Sequence, residues 1–175
     1  ELPSMAADRL TSSGEDYVAL FDARDELSPD PIAFENIPDD AKGYCSHGEN
    51  RIAIQEVMSE IQTIKTAIHE IAHAKLHAVT PGEKVAPEDK KDRRTKEVEA
   101  ESVAYTVCQR YGIETSDYSF GYIAGWSSDK ATTELKGSLE TIRKTAAEMN
   151  TGLAEKHKER LAGIEQEGPT PLRHG

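Results

Sequence analysis

The segment Thr66–His77, with the sequence TAIHEIAHAKLH, contains residue types whose spacing could do chemistry. Within it, His69, Glu70 and His73 form the pattern His-Glu-x-x-His. On a helix, residues four apart lie on the same side, one turn from each other. Zinc chemistry uses this arrangement: two neutral imidazoles bind the metal, and the neighbouring carboxylate takes a proton from the water that the metal activates. The pattern predicts Zn²⁺ ligands at His69 and His73 and a general base at Glu70.

A helix over residues 57–79 is predicted to carry this motif. Apolar residues recur there at helical spacing, as in a helix that faces a core. The predicted stripe is Val57, Ile61, Ile64, Ile68, Ile71, Ala72 and Val79. A single histidine on such a helix is usually structural or solvated, but this five-residue pattern at the border of an apolar stripe favours zinc binding.

His77 extends the row of histidines by another turn. It lies eight residues after His69, or about 12 Å along a helix axis at 1.5 Å per residue. It is therefore too far away to share one ion with the first two histidines. The spacing predicts either a surface histidine or one that supports a ligand without touching the metal.

A catalytic zinc site takes three protein ligands and leaves a position for water. A second helix, predicted over 95–111, offers Glu97, Glu99 and Glu101. Its apolar face is formed by Ala100, Val103, Ala104, Val107 and Tyr111. Projected on a helical wheel, Glu97 lies nearest that face, whereas Glu99 falls on the far flank. We predict Glu97 as the third ligand, Glu101 as a supporting carboxylate or an alternative ligand, and no role for Glu99.

The rest of the chain divides into three parts. Residues 1–27 are predicted to form a partly ordered arm, 28–150 the main domain, and 151–175 a charged helix and tail.

Strand-like segments flank Gly48-Glu49-Asn50 and predict a β-hairpin, with His47 exposed beside its tip and not a ligand. A third helix is predicted over 130–149, with a possible helical extension to residue 164.

Composition limits the classes of function. With 21 Lys+Arg against 32 Asp+Glu, the net charge is −11, which argues against direct nucleic-acid binding by the whole surface. No apolar run reaches membrane-spanning length. Two cysteines, Cys45 and Cys108, make no disulfide framework, so a cytoplasmic location is predicted.

The motif His69-Glu70-Ile71-Ala72-His73-Ala74, followed by Glu97-x-x-Ala100-Glu101-x-x-Ala104, resembles the zincin-like metallopeptidases of the ImmA/IrrE type. It is also similar to metallopeptidase domains of antirestriction-type proteins on mobile elements. The resemblance covers roughly residues 30–112. It implies an α+β fold with a small, mostly antiparallel sheet packed on the motif helix, a Glu ligand from the second helix, a bacterial intracellular setting and a protein or peptide substrate. The family often has Asn or Asp where Glu101 stands, which leaves the Glu97 and Glu101 roles open.

The predicted function is zinc-dependent hydrolysis of peptide bonds. The alternative is a regulatory or interaction module of a larger mobile-element protein that keeps the zinc site but has little peptidase activity. A purely structural zinc is disfavoured, because only three ligands are evident.

Candidates for stabilising the oxyanion are Tyr105, Tyr118, Tyr122 and His77, and the sequence does not choose among them. A substrate strand is expected along the hairpin edge at 52–54.

Overall fold

The computed structural model of the protein describes residues 24–78, 84, 90–118, 120 and 123–167. The strands are β1 (Ile32–Glu35), β2 (Gly43–Ser46) and β3 (Arg51–Gln55). The helices that follow are α1 (Glu60–His77), α2 (Arg93–Arg110), α3 (Ile123–Ser128) and α4 (Thr132–Glu167). Strands followed by helices define an α+β architecture, as predicted.

The sheet is mixed, and this corrects the prediction of a mostly antiparallel one. Its order is β1-β3-β2, so β3 is the central strand. The β2–β3 pair is antiparallel, with Gly43 opposite Ile54, and confirms the predicted hairpin. The β1–β3 pair is parallel, with Ile32 opposite Ile52. The chain reverses direction once between β1 and β2 and again in the hairpin between β2 and β3, so β1 and β3 run in the same direction.

Helix α1 packs against β2 and β3 and carries the His-Glu-x-x-His motif. The Ser59 side chain caps its N-terminus by accepting a hydrogen bond from the backbone N–H of Gln62 at 3.2 Å. Ile64, Ile68 and Ile71 are buried in the core. The predicted apolar stripe is too long at its start, because the helix begins at residue 60.

Two members of that stripe therefore lie outside the core. The side chain of Val57, which precedes the helix, is 85% exposed, and Ile61 in the first turn is 38% exposed. Val79 lies outside the described residues.

Helix α2 packs against α1 on one side and against α4 on the other. The predicted apolar face is confirmed: Ala100, Val103, Ala104, Val107 and Tyr111 are buried. Asp92 caps the helix by accepting a hydrogen bond from the Thr95 backbone N–H at 2.7 Å. Because α2 is covered on two sides, residues outside its apolar face are buried as well.

Helix α4 continues without a break past residue 150 to Glu167, and it contributes Met149 and Leu153 to the core. It runs across the predicted limit between the main domain and the tail, and the domain limits stay predictions. Most of the predicted arm (residues 1–23) and the end of the tail (168–175) lie outside the described residues. Among the described helices, none is both long enough and apolar enough to span a bilayer.

Candidate metal site

The structure brings together the three motif residues on α1. One ligand atom from each of His69, Glu70 and His73 lies within 4.8 Å of the others. His73 and Glu70 are buried, whereas His69 is partly exposed. The imidazole rings of His69 and His73 meet edge to face, with their centroids 4.8 Å apart. The four-residue spacing thus places both rings at one point on the helix surface, as the sequence predicts.

Glu97 reaches this point from α2. Its Oε1 lies 3.1 Å from Nε2 of His73, and its Oε2 lies 3.5 Å from Nε2 of His69. Two carboxylates therefore compete as the third ligand. Glu70 is close to the histidines by distance alone, whereas Glu97 contacts the Nε2 atoms of both rings, which makes Glu97 the better candidate.

The electrostatics of the group follow from these contacts. Hydrogen bonds from His69 and His73 lower the pKa of Glu97 well below its usual range. Burial opposes a charge on His69, but its contacts with Glu97 and Glu70 outweigh this effect and raise its pKa. Burial raises the pKa of Glu70. Glu97 is thus held as an anion, while Glu70 is the better proton acceptor of the two.

The donor set fits a divalent metal of the zinc class. Imidazole nitrogens and a carboxylate oxygen are the ligands that Zn²⁺ takes in catalytic sites. A neutral imidazole bears a lone pair at the nitrogen that carries no proton, so Nε2 of His73 and Oε1 of Glu97 can lie 3.1 Å apart favourably only with a proton or a cation between them. The group is therefore a possible metal-binding site.

Two open clefts meet at this group. One, of about 410 Å³, is lined by His69 and Glu70 together with Lys65, Glu101 and Tyr118, among others. The second, of about 440 Å³, shares His69 and Glu70 and continues along β2 to Arg93 and Lys96. His69 and Glu70 thus stand where the two clefts join, accessible from both.

Glu101 lines the first cleft near His69, and its charge helps to raise the pKa of that histidine. Its predicted role as a supporting carboxylate stays a prediction.

His47 is partly buried and lines the second cleft, so the expectation that it is exposed is wrong.

Glu99 corrects the helical projection. The prediction placed it on a far flank with no role, but its side chain is fully buried. Its Oε1 lies 3.0 Å from Nε2 of His77, and Lys91 Nζ donates to both carboxylate oxygens at 2.9 and 2.8 Å. The projection considered one apolar face, whereas α2 is buried on two sides, and Ser138 of α4 also hydrogen-bonds Glu99.

His77 is buried too, so of its two predicted settings the surface one is wrong. Its Nδ1 lies 2.9 Å from Nδ1 of His73. Burial lowers the pKa of His77, which keeps the ring neutral. The one signal in the sequence for this contact was the second four-residue step, from His73 to His77. Nothing in the spacing alone identified Glu99 as its partner.

The described candidates for stabilising the oxyanion differ in whether they line the cleft beside the histidines. Tyr118 lines the first cleft, and burial raises its pKa far above the usual value. Tyr105 packs edge to face on Tyr118, with ring centroids 5.7 Å apart. His77 lies behind His73, away from the cleft, and Tyr122 is outside the described residues. The oxyanion role stays open.

A histidine–carboxylate cluster on a helix beside a small sheet is typical of metallopeptidase-like domains. Residues 31–114 match the family model Peptidase M78, the IrrE N-terminal-like domain. The predicted resemblance to the ImmA/IrrE type is confirmed.

The chain is also similar to a protein of Bacillus anthracis, uncharacterized protein pXO2-81. The two are 38% identical over 113 residues, which make up 62% of this chain and 18% of that relative. The chain thus spans less than a fifth of the length of that relative. No solved structure shows significant similarity to the chain.

Proposed function

We propose that the domain is a zinc-dependent metallopeptidase that hydrolyses peptide bonds of a protein substrate. The observation that carries the proposal is the convergence of His69, His73 and Glu97 beside the buried Glu70, at the junction of two open clefts. His69 and His73 would hold the ion through Nε2, and Glu97 through its carboxylate. A bound zinc ion would supply Lewis-acid polarisation of the scissile carbonyl and would lower the pKa of water.

Glu70 supplies the proton transfers. Its carboxylate accepts a proton from the attacking water and later gives a proton to the leaving amine, so that one C–N bond is broken and one C–O bond is formed. Burial raises the pKa of Glu70, which makes it a stronger base than a solvated glutamate. Its place on the walls of both clefts lets it reach a peptide that crosses from one cleft to the other.

We propose β2 as the strand beside which a substrate peptide binds. The expected position at 52–54 is wrong, because β3 is the central strand and both of its edges are paired. β2 is an edge strand, and Gly43, Tyr44 and Cys45 line the second cleft beside the histidines. An extended peptide could add to this edge through main-chain hydrogen bonds.

The biological setting belongs to the proposal as well. The family resemblance and the relative from Bacillus anthracis support a bacterial protein. Action in the cytoplasm and a gene on a mobile element are proposed from the same resemblance. The length of the relative favours, as the second candidate, a module of a longer protein that keeps the zinc site for regulation or interaction.

The test uses the purified chain, zinc and a mixture of protein-derived peptides, with new N-termini sequenced by mass spectrometry. Wild type should cleave at recurring positions, and 1,10-phenanthroline or Glu70→Gln should abolish that cleavage, because an amide cannot act as the base. Equal cleavage by the Gln variant would contradict the role of Glu70. A zinc-loaded wild type that cleaves nothing would favour the interaction module.

A further inference from the structure

A buried row of polar groups continues behind the metal site. His73 Nδ1 meets His77 Nδ1 at 2.9 Å, and His77 Nε2 meets Glu99 Oε1 at 3.0 Å. The side chains of His77 and Glu99 are 1% and 0% exposed. Burying a carboxylate and an imidazole is costly unless every polar atom has a partner. The peptidase mechanism uses only Nε2 of His73 and does not account for this row.

The row has one consistent arrangement of protons when its rings are neutral. Glu99 is an anion that can only accept, and Lys91 donates to both of its oxygens. His77 must therefore donate from Nε2 to Glu99. A neutral His77 then has a lone pair on Nδ1, so the 2.9 Å contact requires His73 to donate from its own Nδ1.

This arrangement leaves Nε2 of His73 without a proton, as a metal ligand requires. When no metal is bound, the 3.1 Å contact of that atom with the Glu97 carboxylate favours the opposite tautomer, so the row and Glu97 compete for the position of the proton. That atom faces Glu97 and His69 in the candidate metal site. The opposite tautomer would put a proton on Nε2 and block it as a ligand. In metal sites, the tautomer and the direction of a ligand histidine are commonly set by the hydrogen bond at its other nitrogen.

We infer that Glu99 and His77, held by Lys91, are positioning residues that fix the Nδ1–H tautomer and the orientation of His73 for metal binding. The inference rests on the proposed metal site, but not on peptidase activity. It replaces the earlier expectation that Glu99 has no role. The same row also joins α1 to α2, so a test has to separate positioning from a purely structural contribution.

Glu99→Gln is the most direct variant, because it keeps the shape of the side chain but adds an N–H₂ donor. A neutral Gln either accepts more weakly than a carboxylate from Nε2 of His77 or donates to that atom, and either change favours a proton on Nε2 of His73. The matched control is Thr95→Val on the same helix. It removes a buried hydrogen bond from Trp126 Nε1 to Thr95 Oγ1, 2.8 Å long, that is separate from the row.

Two measurements are made on both variants and on wild type. Long-range ¹H–¹⁵N spectra of the metal-free protein at about pH 8, where an ordinary histidine is neutral, report the tautomer of His73. A competition titration reports zinc affinity. Lys91→Met provides a second variant at a partly exposed side chain, in case Glu99→Gln does not fold.

In metal-free wild type, the row should hold a measurable part of the His73 population with its proton on Nδ1, in competition with Glu97 at Nε2. Glu99→Gln should shift the population towards Nε2–H and weaken zinc binding roughly ten- to a hundredfold. Lys91→Met leaves Glu99 an acceptor, so it should keep the tautomer but loosen the row and weaken zinc binding by less. Thr95→Val should lower stability and change neither the tautomer nor zinc affinity.

An unchanged tautomer and zinc affinity in folded Glu99→Gln, or an unchanged zinc affinity in Lys91→Met if the first variant fails to fold, would overturn the inference. If wild type binds zinc and the tautomer follows Glu99 but no peptide is cleaved, the proposed function fails while the positioning of His73 stands. If zinc binds and Glu70 catalyses hydrolysis, but the tautomer ignores residue 99, the positioning role fails alone.

Discussion

Oε1 of Glu97 lies 3.1 Å from Nε2 of His73, which joins the second long helix to the motif helix at the point where a metal would bind. The Glu97 side chain is 48% exposed, so it stands at the mouth of the site and not in the core. The helical projection selected Glu97 for facing inward. The structure brings it to the histidines for another reason, the close packing of α2 along α1.

The carboxylates of α2 should differ in how much zinc affinity is lost when each is removed. We expect Glu97→Ala to weaken binding most, because it removes the carboxylate that contacts both histidines. Glu101→Ala should weaken binding moderately, since Glu101 acts on His69 mainly through its charge. Competition titrations of the two variants side by side test this order. The reverse order would exchange the two roles.

Gly43 should tolerate no side chain. A Cβ atom there would lie 2.7 Å from Thr66 Cγ2, 2.9 Å from the Ala53 carbonyl oxygen and 3.6 Å from Glu70 Cγ. Gly43→Ala should therefore push β2 away from α1 and lower the free energy of unfolding by about 1–3 kcal/mol, as overpacking does. Urea denaturation measures the loss.

Gly48→Ala is the matched control for that variant. Gly48 lies in the β2–β3 turn, and an added Cβ would meet nothing within 4 Å. Its stability should stay close to that of wild type. Equal losses in the two variants would mean that replacing any glycine of the hairpin, and not the close approach of β2 to α1, sets the cost.

Asp92 should make stability depend on pH. The hydrogen bond from Lys130, followed by those from Thr95, lowers its pKa below the ordinary 3.8. Because the folded pKa lies below the unfolded one, the stabilisation is present at neutral pH and is lost as the pH falls through the acid range below that value. Asp92→Asn should melt at a lower temperature than wild type at pH 7, and the difference should shrink in acid.

The control for Asp92→Asn is Asp129→Asn, a change at an exposed residue next to Lys130. Its melting temperature should follow that of wild type at both pH values. The effect at Asp92 should be modest, because its side chain is 54% exposed and solvent screens the ion pair. A difference at Asp92 that grows in acid would reverse the sign of the argument.

The motif and its helix could be predicted because they depend on local spacing. His69 and His73 lie one turn apart in any helix, and the apolar residues Ile64, Ile68 and Ile71 show which side of it is buried. The hairpin was likewise predictable, since turn residues lie between two short apolar segments; Asn50 there has a φ of 51°.

Other features depend on tertiary packing, and spacing does not reveal them. The parallel pairing of β1 with β3 requires knowing that β2 lies at the opposite edge. The burial of Glu99 requires knowing that both α1 and α4 pack on α2, since Glu99 contacts His77 of α1 and Ser138 of α4. A helical wheel identifies a face rich in apolar residues. It does not identify a polar residue such as Glu99, whose burial depends on hydrogen-bond partners from elsewhere in the chain, His77 and Lys91.

The most direct test of the metal site is the zinc content of the purified chain, measured by inductively coupled plasma mass spectrometry after equilibration with zinc and desalting. Wild type should hold about one zinc per chain, as should His157→Ala, a histidine change on α4 outside the cluster. His69→Ala and His73→Ala should each lose the metal, while both variants stay folded by circular dichroism. Zinc retained at wild-type levels in both variants, or a folded wild type that takes up none, would contradict the account.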